Sequence, residues 1–581
     1  MMQASYLAGI AISDTDRSRL LVAATAAGLE VVLDTCEIVV ACSPSARIIH
    51  LGDAGILIGP LHQSGSRAAL EELTAEARAT VLKSGGVRLF EAFWGAWVSV
   101  IRTAEGAVLL RAPFGRLPCL YRRKGSGVIA ASDIDLLRAA SGEPLALDPE
   151  AIGRQLLAGD MRHPTTSLCG IEEVQGGSRL SIGTSWRPPE GIWSPWRFVG
   201  PDRCIDDLED ASRRLRHQCM VSIASRTAEL ENPLLLLSGG LDSSIVAASL
   251  SAQGRNFACL NLATRDRAGD EREYAGLVAR HLGCHLEMRS MTIGEYDFAR
   301  TGAVRLPRPV TRGYEQLIYA AAASVADELG CDGIVDGGGG DNVFCSLRSV
   351  SPAADCLLDP GGIRHFRRVC EDIGHLAQTS QWKVRWKAIR RSWSRARPYP
   401  WPVDRRLLTR DIQALASTAA SHPWLAPGEA ELPGRGAHIA ILIAAQGYVE
   451  DGPYGTKQNC ISPLVTQPLI EHCLAIPSWR WFARGNNRAA ARKGYEDLLP
   501  PGIAWRNGKG TPESFLFALL ERNRDAMTSH LLDGVLASAG VIDTAALAKA
   551  LRDTERLKGT TYGRILQLVD AESWARGIIA N

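Results

Sequence analysis

Several absences narrow what this chain can be. None of its 14 cysteines stands in a Cys-x-x-Cys pair. In a chain of 581 residues that argues against a zinc site or a disulfide framework and for small core cysteines in a reducing compartment. No apolar run is long enough to span a membrane. The start, Met1-Met2-Gln3-Ala4-Ser5-Tyr6, lacks the basic flank and apolar stretch of a signal peptide, so a cytoplasmic protein is expected. Neither sign of charge dominates: 65 Lys+Arg against 63 Asp+Glu leave +2, which by itself calls for neither a nucleic-acid nor a membrane partner. Internal repeats and low-complexity tracts are missing too. What remains is an ordinary globular mixture, 46% apolar and 22% charged, long enough for two or more domains.

Up to about residue 140 the pattern is one of short strands and turns. Val31–Leu33, Ile38–Val40 and Ile56–Ile58 are β-rich runs bounded by turn-forming residues. Trp97–Ile101 and Val108–Leu110 flank Glu105-Gly106, a hairpin signal. Residues 68–83 read as a helix. A Pro- and Trp-rich stretch from Trp186 to Trp196 reads as a linker or extended crossover. Beyond it the periodicity turns helical over Asp206–Ala228. The run Pro233–Leu237 then reads as a buried strand, followed by Ser238-Gly239-Gly240 and a helix starting near Asp242. Strand, glycine turn and helix make a β-α unit of a parallel sheet. Phe257–Leu262 and Gly333–Val335 are further strand candidates, and the chain from about 430 is mostly helical.

The strongest chemical signal is Ser238-Gly239-Gly240-Leu241-Asp242-Ser243-Ser244. Two glycines let the backbone turn tightly after an apolar strand. Successive N–H groups and hydroxyls then face a ligand at a helix N-terminus, which is an anion site. Asp242 beside a polyphosphate is placed to hold Mg²⁺ through oxygen. A Walker loop is excluded, because no Gly-Lys-Ser/Thr follows.

This heptad resembles the pyrophosphate loop of the ATP-pyrophosphatase ligases, the group that includes asparagine synthetases. Further segments carry the same resemblance. They are Asp270–Ala275, Asp336-Gly337-Gly338-Gly339-Gly340-Asp341-Asn342-Val343-Phe344, Ser462-Pro463-Leu464 with Gln467–Glu471, and the stretch with Arg488, Arg492 and Ala504-Trp505-Arg506. The resemblance implies ATP and Mg²⁺ as cofactors. It implies a nucleotide site of Ser238, Gly239, Gly240, Leu241, Asp242, Ser243, Ser244, Gly337 and Gly338, with Asp242 and Asp341 as the metal carboxylates. Arg488 stands where asparagine synthetases carry a Lys, so a fork replaces a point charge. Arg488 is expected to contact phosphate. Lys509 could supply an ammonium, with a solvated surface charge as the alternative.

Phe93–Trp97, Arg111–Tyr121 and Ala131-Ser132-Asp133 resemble the glutaminase domain of asparagine synthetases, whose nucleophile is an N-terminal Cys. Here Met2 and Gln3 follow the first residue, and no Cys precedes Cys36. The expected fold is therefore α+β followed by α/β. Residues 1–205 form an inactive glutaminase-type, Ntn-hydrolase-like sandwich without its nucleophile. Residues 206–581 form a parallel-sheet ATP-pyrophosphatase synthetase domain with a helical C-terminal part.

Synthetases of this kind without a glutaminase nucleophile include β-lactam synthetases and lasso-peptide cyclases. The wording of residues 337–345 and 462–471 is closer to the cyclases. In β-lactam synthetases a Tyr of a catalytic Tyr–Glu pair sits at the position of Gly338; its absence is expected to open space for a folded peptide. The resemblance implies adenylation of an Asp or Glu side chain in a precursor peptide and attack by the peptide's N-terminal amine. It also implies a leader-peptide-binding protein and a transglutaminase-like leader peptidase as partners. A small-molecule amide ligase and a catalytically dead scaffold are the rival readings. Trp382, Trp386 and Trp393, interleaved with Lys and Arg, fit one helix. Either they pack on the core, or they dock a partner protein or an acidic peptide.

Overall fold

The computed structural model describes residues 4–183, 185–263, 270–291, 296–299, 301–310, 312–394, 399–426, 432–450, 458–506, 508, 513–552 and 561–580. Two six-stranded antiparallel sheets come first. Their strands alternate apolar side chains between two faces, as the period of two requires. Tyr6, Ala8, Ile10, Ile38 and Val40 of one sheet meet Ile56, Ile58, Val98, Val100 and Leu109 of the other in a shared apolar layer. The alternate residues, Leu7, Val39, Ala41 and Ile129 on one side and Leu57, Ile101 and Leu110 on the other, face outward into the main core. There they join helical residues such as Leu20, Leu137, Val81 and Leu89. The result is the expected helix-flanked sandwich of α+β type.

A five-stranded parallel sheet follows. Its order is His285–Ser290, Ala258–Ala263, Pro233–Leu236, Gly333–Val335, Asn459–Ile461. The chain enters at the central strand, runs outward to one edge, then crosses to the other side. The order therefore reverses between Pro233–Leu236 and Gly333–Val335, and loops leaving two such neighbours diverge and leave a crevice. Past residue 461 the described residues are mostly helical, including Gln467–Ala475, Glu513–Leu532 and Thr561–Ala580, as expected.

Three local expectations change. The helix read over 68–83 is confined to Ala75–Lys83, with Thr74 as its N-cap. Before it the chain is held by pairing instead: Leu70 N–H donates to Leu61 O at 2.7 Å, and Ala69 bridges to His62. The Trp-rich stretch, read as a linker or an extended crossover, is a packed segment. Trp193 is buried among Phe114, Phe198 and Trp424, and its Nε1–H donates to Glu471 at 2.8 Å. Core packing of the Trp382 helix fails as well. Gln381–Ser392 buries Val384 and Ala388, while Trp382, Trp386 and Trp393 are 71%, 60% and 83% exposed.

A buried ion cluster fastens the sandwich to the later half. Glu173 pairs with Arg111 (2.8 Å), Arg162 (3.4 Å) and Arg308; Glu450 pairs with Arg111 (3.0 Å) and Arg162 (3.5 Å). Such a cluster specifies one docking geometry, since each charge left alone there is costly. The 14 cysteines are all free, and most are buried.

Candidate functional site

The crevice at the strand-order reversal gathers the residues singled out by sequence. After the central strand, Gly239 adopts φ +75°, and a Cβ there would sit 2.6 Å from Tyr274 Cβ. Only glycine makes that turn without strain. Gly240 then starts the helix Leu241–Ala252 with no side chain capping its N-terminus. The first N–H groups of a helix have no intrahelical acceptor, so this positive end can receive an anion. The hydroxyls of Ser238 and Ser243 lie 3.2 Å apart, and Ser238 Oγ accepts from Gly240 N–H at 3.3 Å. Ser244 instead turns back to donate to Gly240 O at 2.7 Å.

The second loop, Asp336–Gly340, leaves the neighbouring strand and presses against the first. A Cβ on Gly337 would lie 2.6 Å from the backbone nitrogen of Ser243. This contact brings Asp341 beside Asp242. Both carboxylates converge on one guanidinium nitrogen: Arg488 Nη1 donates to Asp242 Oδ1 and Oδ2 at 3.0 and 2.8 Å and also to Asp341 Oδ1. Arg488 is the residue before the helix Ala489–Tyr495, in the left-handed region at φ +57°. For a non-glycine residue that is uncommon and costs energy, so it marks a position held by its surroundings. Burial pushes the Arg488 pKa down, but Asp242 and Asp341 outweigh it and leave the group above its usual value. Arg492, behind it, is pushed down to about 10 by burial and by Arg488. Arg492 holds the loop by donating to Asn487 O and Ala504 O, both at 2.8 Å.

Two carboxylates that share one nitrogen are close enough to share one cation. Oxygen-only donors suit Mg²⁺, which commonly takes one or two protein carboxylates and completes its shell with phosphate and water. Among the described residues no group of three or more His, Cys, Asp or Glu forms a cage for a metal. Lys509 lies outside the described residues, as do Met2 and Gln3.

Two sets of residues lie in the segments quoted from the sequence, which gave them no role of their own. Asp336, directly before the four glycines, is buried. It accepts from Gly338 N–H (2.8 Å), Ser462 Oγ (2.7 Å) and Tyr319 OH (2.9 Å). Burial raises its pKa against those hydrogen bonds. It shapes the loop rather than facing the crevice; an Asp heading a glycine run was its only trace. Arg506 clamps the first loop from behind. It donates to Gly239 O (3.2 Å), pairs with Glu271 (3.0 Å) and stacks 3.4 Å from the Tyr274 ring centroid.

The space expected at Gly338 is not open. A Cβ built there would meet Tyr448 Cε1 at 2.1 Å and its hydroxyl oxygen at 2.6 Å. A tyrosine from the distant helix Pro433–Glu450 thus fills the place that a larger residue at 338 would take, and its hydroxyl hydrogen-bonds to that of Tyr319. Sequence spacing carries no sign of this, because the two positions are 110 residues apart.

The chain belongs to the asparagine synthase family, whose profile matches residues 214–450 and 457–576. Among curated proteins it is similar to carboxyethyl-arginine β-lactam synthase of Streptomyces clavuligerus, at 26% identity over 252 residues. That match covers 43% of this chain and 42% of the relative, so the chain spans under half of the relative it matches. Two solved structures align over about half of the chain. Glutamine phosphoribosylpyrophosphate amidotransferase from B. subtilis, complexed with ADP and GMP, matches at 12% identity and TM-score 0.22, covering 52% of this chain and 83% of its own. An allosteric regulatory enzyme of purine biosynthesis matches at 11% and 0.22, covering 51% and 82%. Among the described residues no helix is long and apolar enough to cross a membrane.

Proposed function

We propose that this chain is an ATP-dependent carbon–nitrogen ligase that forms AMP and closes a macrolactam on a precursor peptide. The observation that carries the ligase reading is the convergence of Asp242, Asp341 and Arg488 beside an uncapped helix N-terminus at the strand-order reversal. Membership of the asparagine synthase family supports it.

The chemistry to be solved is a leaving-group problem. A carboxylate cannot expel oxide, but an acyl-adenylate can expel AMP. In the first step a side-chain carboxylate of an Asp or Glu attacks the α-phosphorus of ATP, and pyrophosphate leaves. In the second step the neutral N-terminal amine attacks the acyl carbon, AMP leaves and one proton is released. Ser238, Ser243 and the N–H groups at the start of Leu241–Ala252 hold the departing pyrophosphate. Asp242 and Asp341 would hold Mg²⁺, which neutralises charge on that leaving group. Arg488, released from the carboxylates, turns its guanidinium to a phosphate. The closeness of residues 337–345 and 462–471 to lasso-cyclase wording supports a peptide substrate. A leader-binding protein and a leader peptidase are the partners that this reading entails.

A second reading, ligation of a small amino acid, has two observations in its favour: the β-lactam synthase relative and the narrowing of the crevice at Gly338 by Tyr448. Incubation with Mg-ATP and either leader-free peptides or β-amino acids separates the two. A peptide product lighter by one water, lost when the peptide N-terminus is acetylated, supports the macrolactam. Turnover of a small amino acid with none on any peptide replaces it with the second reading.

A further inference from the structure

The helix Gln381–Ser392 presents a surface that no step above uses. Trp382, Trp386, Ile389 and Trp393 recur every three or four residues and form one stripe along the helix. They are 71%, 60%, 39% and 83% exposed, while Val384 and Ala388 on the opposite side are buried. Residues 363–394 contain eight Lys or Arg against two Asp or Glu, although the whole chain carries only +2. Lys383, Lys387 and Arg390 are exposed beside the stripe. Arg385 lies 4.8 Å from the Trp382 ring centroid and Arg390 lies 5.7 Å from that of Trp386.

We infer that this helix seats the protein on the surface of an anionic lipid bilayer. Indole rings prefer the headgroup level, where an apolar body and an N–H are both accommodated. A helix with Trp on one face and Lys and Arg around it lies in the plane of that interface. Arg364 pairs with Asp206, and Arg367 and Arg385 with Glu371; the exposed Lys383, Lys387 and Arg390 beside the stripe are the cations that anionic headgroups would meet. The exposure of the rings favours a bilayer over an acidic peptide. Rings with solvent over most of their surface stand on a ridge, and a ridge has no walls to enclose an extended chain. A membrane surface needs none. Three such indoles left in water are also a large apolar expanse for a monomer surface.

Flotation of the full chain with lipid vesicles tests this. The protein should rise with vesicles of phosphatidylcholine plus phosphatidylglycerol, stay below with phosphatidylcholine alone, and be released by high salt. A variant combining Trp382→Ala, Trp386→Ala and Trp393→Ala should bind about tenfold or more weakly, because association scales with the apolar area inserted. Its thermal midpoint should match the parent, since the rings touch little of the core. Lys383→Glu with Lys387→Glu should lose binding as well. Failure of the parent to float with anionic vesicles overturns the inference. So does equal flotation of the combined Trp variant. Binding of a polyglutamate peptide without any vesicle binding overturns it in favour of an acidic peptide.

Discussion

Arg488 and Asp242 are joined through a single guanidinium nitrogen, Nη1, at 3.0 and 2.8 Å from the two carboxylate oxygens, with both side chains largely buried. One guanidinium thus offsets the charge of Asp242 and also reaches Asp341. Removing the arginine takes from the buried Asp242 the guanidinium that both of its oxygens accept from. Arg488→Met is therefore expected to lower stability by about 3 kcal/mol. Adding Asp242→Asn to it should cost much less than the sum of the two single changes. Urea unfolding of the four proteins of this cycle measures the coupling; strict additivity would remove the pairing from the account.

Gly338 and Tyr448 form a steric pair. Gly338→Ala would place a methyl 2.1 Å from Tyr448 Cε1, so the ring must move. Overpacking of this kind costs about 1–3 kcal/mol. Tyr448→Ala makes room, so Gly338→Ala should cost little in that background. Thermal unfolding of the single and double variants checks it, and an equal penalty in both backgrounds would contradict the pairing.

That pair also shows where sequence reading stops. The Ser238–Ser244 heptad, the strand before it and the Asp341 loop were legible because turn glycines, apolar runs and helix starts are local signals. The convergence of Asp242 with Asp341 could be expected only through a family resemblance. The Arg488 bridge could not, since it spans 246 residues and depends on a left-handed backbone at an arginine. Tyr448 at Gly338 and the burial of Trp193 were hidden for the same reason: both depend on which distant surfaces meet. At Trp382, periodicity correctly gave the helix but left open which face would be covered.

Stability should fall as pH rises through the weakly acidic range. Burial lifts the carboxyls of Asp570 and Asp355 from the usual 3.8 to about 7. Between about pH 4 and 7 the folded chain keeps protons that the unfolded chain has released, so each group removes up to about 1.4 kcal/mol of stability per pH unit. Asp570→Asn should flatten its share of that slope, as read from denaturant midpoints across the range. Glu173 acts in the opposite sense. Burial pushes its carboxyl up, but Arg308, Arg162 and Arg111 reverse this and hold it at about 2. Its stabilisation is present above about pH 4.5 and is lost as pH falls toward 2. Glu173→Gln should remove that acid limb; an unchanged acid limb would contradict its role in the buried cluster.

The two site carboxylates should matter for chemistry more than for folding. Asp341→Asn and Asp242→Asn are each expected to reduce AMP formation about a hundredfold or more, because charge neutralisation at the leaving group is worth several kcal/mol. Circular dichroism should show both variants folded. AMP release at the parent rate from either folded variant would take that carboxylate out of the site.

The most direct test follows one oxygen atom. A substrate whose side-chain carboxylate carries a heavy-oxygen label is incubated with the protein and Mg-ATP, and the nucleotide product is analysed by mass spectrometry. If the crevice of Asp242, Asp341 and Arg488 joins carboxylate to AMP before the amine attacks, one labelled oxygen stays on the AMP that is released. Formation of ADP with the label in inorganic phosphate, or of AMP without label while amide accumulates, would contradict the adenylation account.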